Sequence, residues 1–236
     1  MNDSPDLVLG LVFYAVFLIA TTLHEAAHAW AALRGGDPTA YHGGQVSLDP
    51  LPHIRREPFG MVVLPILSVI LIGWPFGFAS APYSVAWARE HPRRAAWMAL
   101  AGPAANVVLV VVAVIGIRVG MMTGAFHAPE SVTFASVVAA SEPGLMTSLA
   151  TLLSVLFSLN ILLAVFNLLP FPPLDGSGVI PLFLDAEKTR RYQDLIWGNP
   201  ALGWIGIIIA WQLFGYVFDP IWLGTINLMY PGVTYG

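Results

Sequence analysis

The sequence predicts an all-α polytopic membrane protein with about four spanning helices, a re-entrant or broken apolar hairpin over 59–79, and small membrane-associated β strands. Three observations carry this. Apolar residues make up 57% of the chain and charged ones only 10%, with a mean hydropathy of +0.73, whereas a soluble domain is about one-quarter charged. Four stretches, 7–33, 95–118, 146–168 and 201–223, are apolar over the ~20 residues needed to cross a hydrocarbon layer about 30 Å thick. A fifth, 59–79, is long enough but is interrupted by Pro65, Gly73 and Pro75, which remove backbone donors and loosen a helix.

Taken in order, the first stretch follows Asp3 and Asp6 rather than Lys or Arg and contains histidines and a glutamate, which is not the pattern of a secretory leader; it reads as a retained spanning helix. Residues 34–57 are polar and rich in turn formers. The 80–94 connector is basic, 119–145 is a longer loop, and 184–199 is charged. None is long enough for an independent domain, so the 236 residues read as one integral-membrane unit with a core over about 7–180 and a last helix over about 201–223. Gly44–Leu48 and Phe76–Ser84 mix Gly, Ser, branched and aromatic residues and read as the short strands.

The net charge of −4 is small, and the ten Lys and Arg form no run that would mark a nucleic-acid surface. With no cysteine in the chain, a disulfide framework, a thiolate metal site and a cysteine nucleophile are excluded together. Any metal must be held by His, Asp or Glu.

Such a set exists within the first span. His24-Glu25-Ala26-Ala27-His28 places two imidazoles at i and i+4 on one helical face, where both reach one zinc ion, and leaves Glu25 beside the metal as a base. The composition gives a chance HExxH about 0.004 times in such a chain. The other reading, buried histidines satisfied by neighbours, leaves each ionisable group costing at least about 2.5 kcal/mol inside a bilayer. Catalytic zinc takes three protein ligands and keeps a position for water, so a third must come from elsewhere. Asp175, in a proline-rich turn just past the third span, is the candidate; the alternative role for it is a helix N-cap.

Three motifs together, HEAAH in a membrane helix, AGPAAN at 101–106 and NLLPFPPLDG at 167–176, resemble the signatures of the site-2 protease family of intramembrane zinc metalloproteases. The likeness spans roughly 15–180. The linking GGQVSLDPLPHIRREPFG and the later PFGFASAPY resemble its compact prokaryotic branch, which lacks added domains. The resemblance implies Zn2+ bound by His24, His28 and Asp175, Glu25 as general base, and Asn106 close to the substrate or the developing oxyanion; packing of small residues is the alternative for Gly102–Asn106. It implies a transmembrane protein or peptide as substrate, the bilayer of a prokaryotic cell as its setting, and room for a regulatory membrane protein. His53 and Asn167 lie near these motifs as partners that could orient a ligand or as loop and cap residues. A membrane metal transporter is the rival reading, but transit has no need of Glu25.

Topology follows from two independent arguments. If all five apolar stretches crossed, HEAAH and Asp175 would lie about 30 Å apart on opposite faces; a re-entrant 59–79 puts them on one. The same arrangement places Arg34, Arg55, Arg56, Arg89, Arg93, Arg94, Lys188, Arg190 and Arg191 on one side and only Arg118 on the other. Five crossings split the ten cations six against four. The positive-inside rule favours the stronger bias, with the site toward the cytoplasmic face.

Overall fold

A computed structural model describes residues 6–236. Four helices are long and apolar enough to cross a membrane: α1 (Leu7–Gly35), α6 (Pro92–Met122), α7 (Leu145–Asn167) and α10 (Ala201–Met229). They are set out by short elements in chain order: α2 (Thr39–His42), α3 (Pro50–Arg56), α4 (Leu64–Ile72), α5 (Val85–Glu90), α8 (Asp175–Val179) and α9 (Ala186–Gly198). The Asp6 carboxylate accepts from the amides of Val8 and Leu9 to start α1, and Gly36, at φ 99°, ends it, satisfying groups that the helix ends leave without partners. Helix α6 packs against both α1 and α7, whereas α10 touches chiefly α7. The α1–α6–α7 group therefore forms the centre, and most of α10 faces outward.

The 59–79 stretch does not cross. It opens as a π-helical turn (Phe59–Val63) running into α4, 14 residues of helix that rise only about 21 Å. In a regular helix the Pro65 amide would reach back to the Met61 carbonyl, but proline has no N–H. The Tyr14 hydroxyl donates to that carbonyl instead, at 3.2 Å. The wider π turn sends Leu64 N–H to Phe59, so the Gly60 carbonyl is also released, and Phe78 N–H donates to it at 3.1 Å. After Gly73, at φ 74°, the chain turns back; Ser68 Oγ accepts from Phe76 N–H at 2.7 Å and donates to Pro65 O. One carbonyl freed by the proline and one freed by the π turn thus dock this turn against α1 and moor the returning chain. The result is a re-entrant hairpin.

The strands differ from the sequence expectation. Gly44–Leu48 forms turns and bends, and Phe76–Ser84 has no regular secondary structure and pairs with no strand. The two-stranded sheet lies in the 119–145 loop, with β1 (Phe126–His127) antiparallel to β2 (Ala139–Ala140). The physical reason is that side chains occupy one edge of the returning segment. Gln45 and Arg56 both donate to Ser80 O at 3.1 Å, Ser80 Oγ donates to Glu57 at 2.7 Å, and Ser84 N–H donates to Asp37 at 2.7 Å. On the opposite face the loop is pinned to α7 by Ser154, whose hydroxyl accepts from Val137 and Val138 N–H, and to the C-terminal segment by Tyr230, which donates to Val137 O.

Asp37 is buried just beyond α1. Burial alone would raise its pKa, but the Thr39 hydroxyl and the Ser84 and Thr39 amides outweigh this and hold it below the ordinary carboxylate value. A carboxyl whose pKa is lowered on folding contributes stability above its unfolded pKa of about 4 and loses it as pH falls. Asp37→Asn is therefore expected to destabilise by about 1–2 kcal/mol at neutral pH, with the gap in melting temperature between the two proteins narrowing below about pH 4; thermal melts across pH measure this. The hairpin predicts, in this cysteine-free chain, that single cysteines at the exposed positions Leu48, Ala86 and Lys188 react with an impermeant label from one face. Cysteine at the exposed Glu130 is expected to react from the other, and opposite faces for Leu48 and Ala86 would mean a full crossing.

Candidate metal centre

His24 and His28 sit one turn apart on α1, both buried, with their Nε2 atoms 3.0 Å apart. Asp175, the first residue of α8, brings Oδ2 to 3.0 Å from His24 Nε2 and Oδ1 to 3.3 Å from His28 Nε2. The three candidate ligand atoms lie within 4.8 Å of one another. Leu174, not Asp175, takes the N-cap position, so the carboxylate is free to face the imidazoles. Gly176 and Gly178 explain how α8 comes so near: a side chain on the first would run into the Leu168 and Leu169 carbonyls, and one on the second into Ala99 of α6.

The outer ring nitrogens are already engaged. His28 Nδ1 is 2.7 Å from the Met98 carbonyl, which only accepts, so Nδ1 carries the proton. His24 Nδ1 is 2.6 Å from Asn106 Oδ1. With both protons on Nδ1, neutral rings aim two Nε2 lone pairs and a carboxylate at one another. Such an arrangement repels itself unless a cation sits between, and two imidazoles with one carboxylate are a donor set that suits catalytic zinc.

Two further features fit a metal. Glu25 is buried, and its Oε2 has no hydrogen-bond partner among the described residues. Gly102 of α6 faces the two Nε2 atoms so closely that an added Cβ would collide with both rings. Beside His28 and Asp175 opens a cavity of about 440 Å³ whose walls include Ala79, Ala81, Tyr83 and Trp197. Helix α9 roofs it: Tyr192 donates to Ser177 O, Gln193 to Ala88 O, and Arg89 pairs with Asp194 at 2.7 Å.

The structure thus brings together His24, Glu25, His28 and Asp175. Asn106 is at the centre too, but fully buried, with Oδ1 on His24 and Nδ2 on Asn160 Oδ1 at 2.9 Å; the resemblance placed it nearer the substrate. His53 is buried elsewhere, with Nε2 3.0 Å from the Ser47 carbonyl, and Asn167 is the half-buried last residue of α7. Sequence reasoning missed Gly102 as a clearance for the ligand atoms, and Asn160 altogether. A lone amide in the middle of an apolar span was the available signal.

Comparison with known proteins decides the family. Peptidase family M50 matches residues 12–197. The chain belongs to this family, the site-2 proteases. It is 30% identical to YwhC of Bacillus subtilis, a protein bearing the name of a zinc metalloprotease, over 94% of this chain and 96% of that one. It is 32% identical to Rip2 of Mycolicibacterium smegmatis, which bears the same kind of name, over 88% of this chain and 71% of that one. Rip2 of Mycobacterium tuberculosis is 30% identical over 75% of this chain and 58% of its own length. No solved structure matches. The M50 chain is an integral-membrane zinc metalloprotease, and the metal-transporter reading finds no support.

The clearance at Gly102 generates a test. Gly102→Ala is expected to abolish stoichiometric zinc in the purified protein, as are His24→Ala, His28→Ala and Asp175→Ala, measured by elemental analysis; retention of zinc in the Asp175→Ala protein would exclude that ligand.

Proposed function

We propose that this chain cleaves peptide bonds of membrane-spanning or membrane-proximal segments, using His24, His28 and Asp175 as zinc ligands and Glu25 as general base. The observation that carries it is the convergence of two Nε2 lone pairs and one carboxylate beside a buried glutamate whose Oε2 has no partner among the described residues. Zinc there supplies Lewis acidity to a water and to the scissile carbonyl. Glu25 takes the proton of the attacking water and returns it to the leaving amine. Its depth in the protein keeps its charge from being screened by bulk solvent, and its place directly after His24 in sequence fixes it beside the metal.

The returning segment suits an extended substrate. Along an extended chain, alternate residues direct both backbone groups to the same edge. Phe78 N–H, Ser80 C=O and Ser84 N–H, all even-numbered, bond to the protein, and Pro82 has no N–H to leave unmet. Backbone groups of Ala79, Ala81 and Tyr83 have no partner among the described residues, and these same residues border the cavity. This open edge accepts an unwound substrate by β-augmentation. Since helical peptide bonds are hidden, local unwinding comes first.

The bias of nine cations against one supports a site opening toward the cytoplasm, and the exposed charged face of α9 is accessible there to a regulatory membrane protein. Glu25→Gln tests the chemistry: zinc content is expected to remain stoichiometric, while cleavage of a single-span substrate falls by at least about 100-fold, the usual worth of a positioned acid–base group. Turnover near that of the wild type would remove Glu25 as the base.

A further inference from the structure

We propose that Asn106 and Asn160 are positioning residues that fix the tautomer and ring orientation of His24, with the sense of the whole chain set by the backbone carbonyl of Leu156. The inference rests on the zinc reading above and goes beyond it, because Asn160 touches neither the ligands nor the cavity.

The hydrogen bonds run inward from α7. A backbone carbonyl only accepts, so the Asn160 side chain must turn its NH2 toward Leu156 O, 2.8 Å away. Its Oδ1 then faces Asn106, which must donate through Nδ2 at 2.9 Å. That leaves Asn106 Oδ1 toward His24 Nδ1 at 2.6 Å, so His24 carries its proton on Nδ1 and offers the Nε2 lone pair to the metal side. Flipping Asn160 would set donor against donor at one junction and acceptor against acceptor at the other, and flipping Asn106 would set its Oδ1 against Asn160 Oδ1. Asn106 and Asn160 are both fully buried, so water cannot repair the mismatch.

Helix α6 organises both imidazoles on one face. Met98, Gly102 and Asn106 recur at four-residue steps, which places them one above the other. Met98 O holds His28, Gly102 leaves room for the Nε2 atoms, and Asn106 holds His24. His28 reaches a carbonyl directly; His24 needs two amides in between. All three bonds of its relay run in the same sense, so each polarises the next and raises electron density on the His24 ring.

The test uses full-length protein labelled with 15N-histidine and loaded with zinc. In the wild type both ligand histidines are expected to show a protonated Nδ1 and a metal-bound Nε2. Asn160→Leu is expected to move the His24 Nδ1–H resonance and leave His28, whose partner is Met98 O, in place; a general loosening of the fold would move both. In chelator competition, Asn106→Leu is expected to weaken zinc binding about 10–100-fold. If Asn106→Leu does not fold, the wild-type spectrum and Asn160→Leu still decide. A His24 bound through Nδ1, or an Asn160→Leu spectrum in which His24 and His28 move alike or not at all, overturns the relay. Wild-type protein that binds no zinc removes the metal reading itself, and the relay with it.

Discussion

Three groups that converge on one point are held at the same depth in the protein: two imidazole nitrogens 3.0 Å apart and a carboxylate within 3.3 Å of each. Almost every feature of the central helices answers that constraint. The two histidines come from one turn of α1, so their spacing is fixed by helix geometry alone. Asp175 arrives from another helix pair, and its approach depends on Gly176 and Gly178 letting α8 lie against the Leu168 carbonyl and α6. Gly102 leaves space between the rings. Metal bound here would compete with protons for the two Nε2 atoms and the carboxylate, so metal affinity, pH and the stability of the folded state are coupled.

The same constraint dictates the path of the chain. HEAAH lies at the end of the first span and Asp175 after the third, so an odd number of crossings between them would separate the ligands by the thickness of the bilayer. The hairpin made of the π turn, α4 and the returning segment solves this by entering and leaving on one face. The 76–84 segment then serves two purposes, closing the hairpin with its even-numbered backbone groups and lining the cavity through Ala79, Ser80, Ala81 and Tyr83.

Much of this was legible in the sequence, for physical reasons that differ by element. The four spans follow from length and hydropathy, and the structure extends them by a few polar or small residues at their ends, as with α6, which begins at Pro92 and runs to Met122. The His24–His28 pair is legible because i and i+4 share a helical face whatever surrounds them. Asp175 was legible only through its motif, since a lone Asp before Gly also suits a cap. Gly102 was not: a glycine in a membrane helix is most often a packing contact, and only the opposing α1 rings reveal what it clears. The partners of Asn106 were hidden for the same reason, since Asn160 lies 54 residues away. The strands were misplaced because propensity marks an extended backbone without saying whether another strand or a set of side chains will satisfy it.

Pro65 has a consequence for how far the hairpin enters the membrane. A helix with all its bonds intact offers a returning chain nothing to grip, since every carbonyl is already taken. Here the donor missing at Pro65 exposes the Met61 carbonyl, the π turn exposes that of Gly60 beside it, and the chain coming back registers against Gly60 through Phe78. Proline and π turn together work as a depth gauge: moved by one residue, they would present the free carbonyls a different way round the helix, about 100° away. The return leg would lose its mooring, and the wall it lends to the cavity would shift along with it.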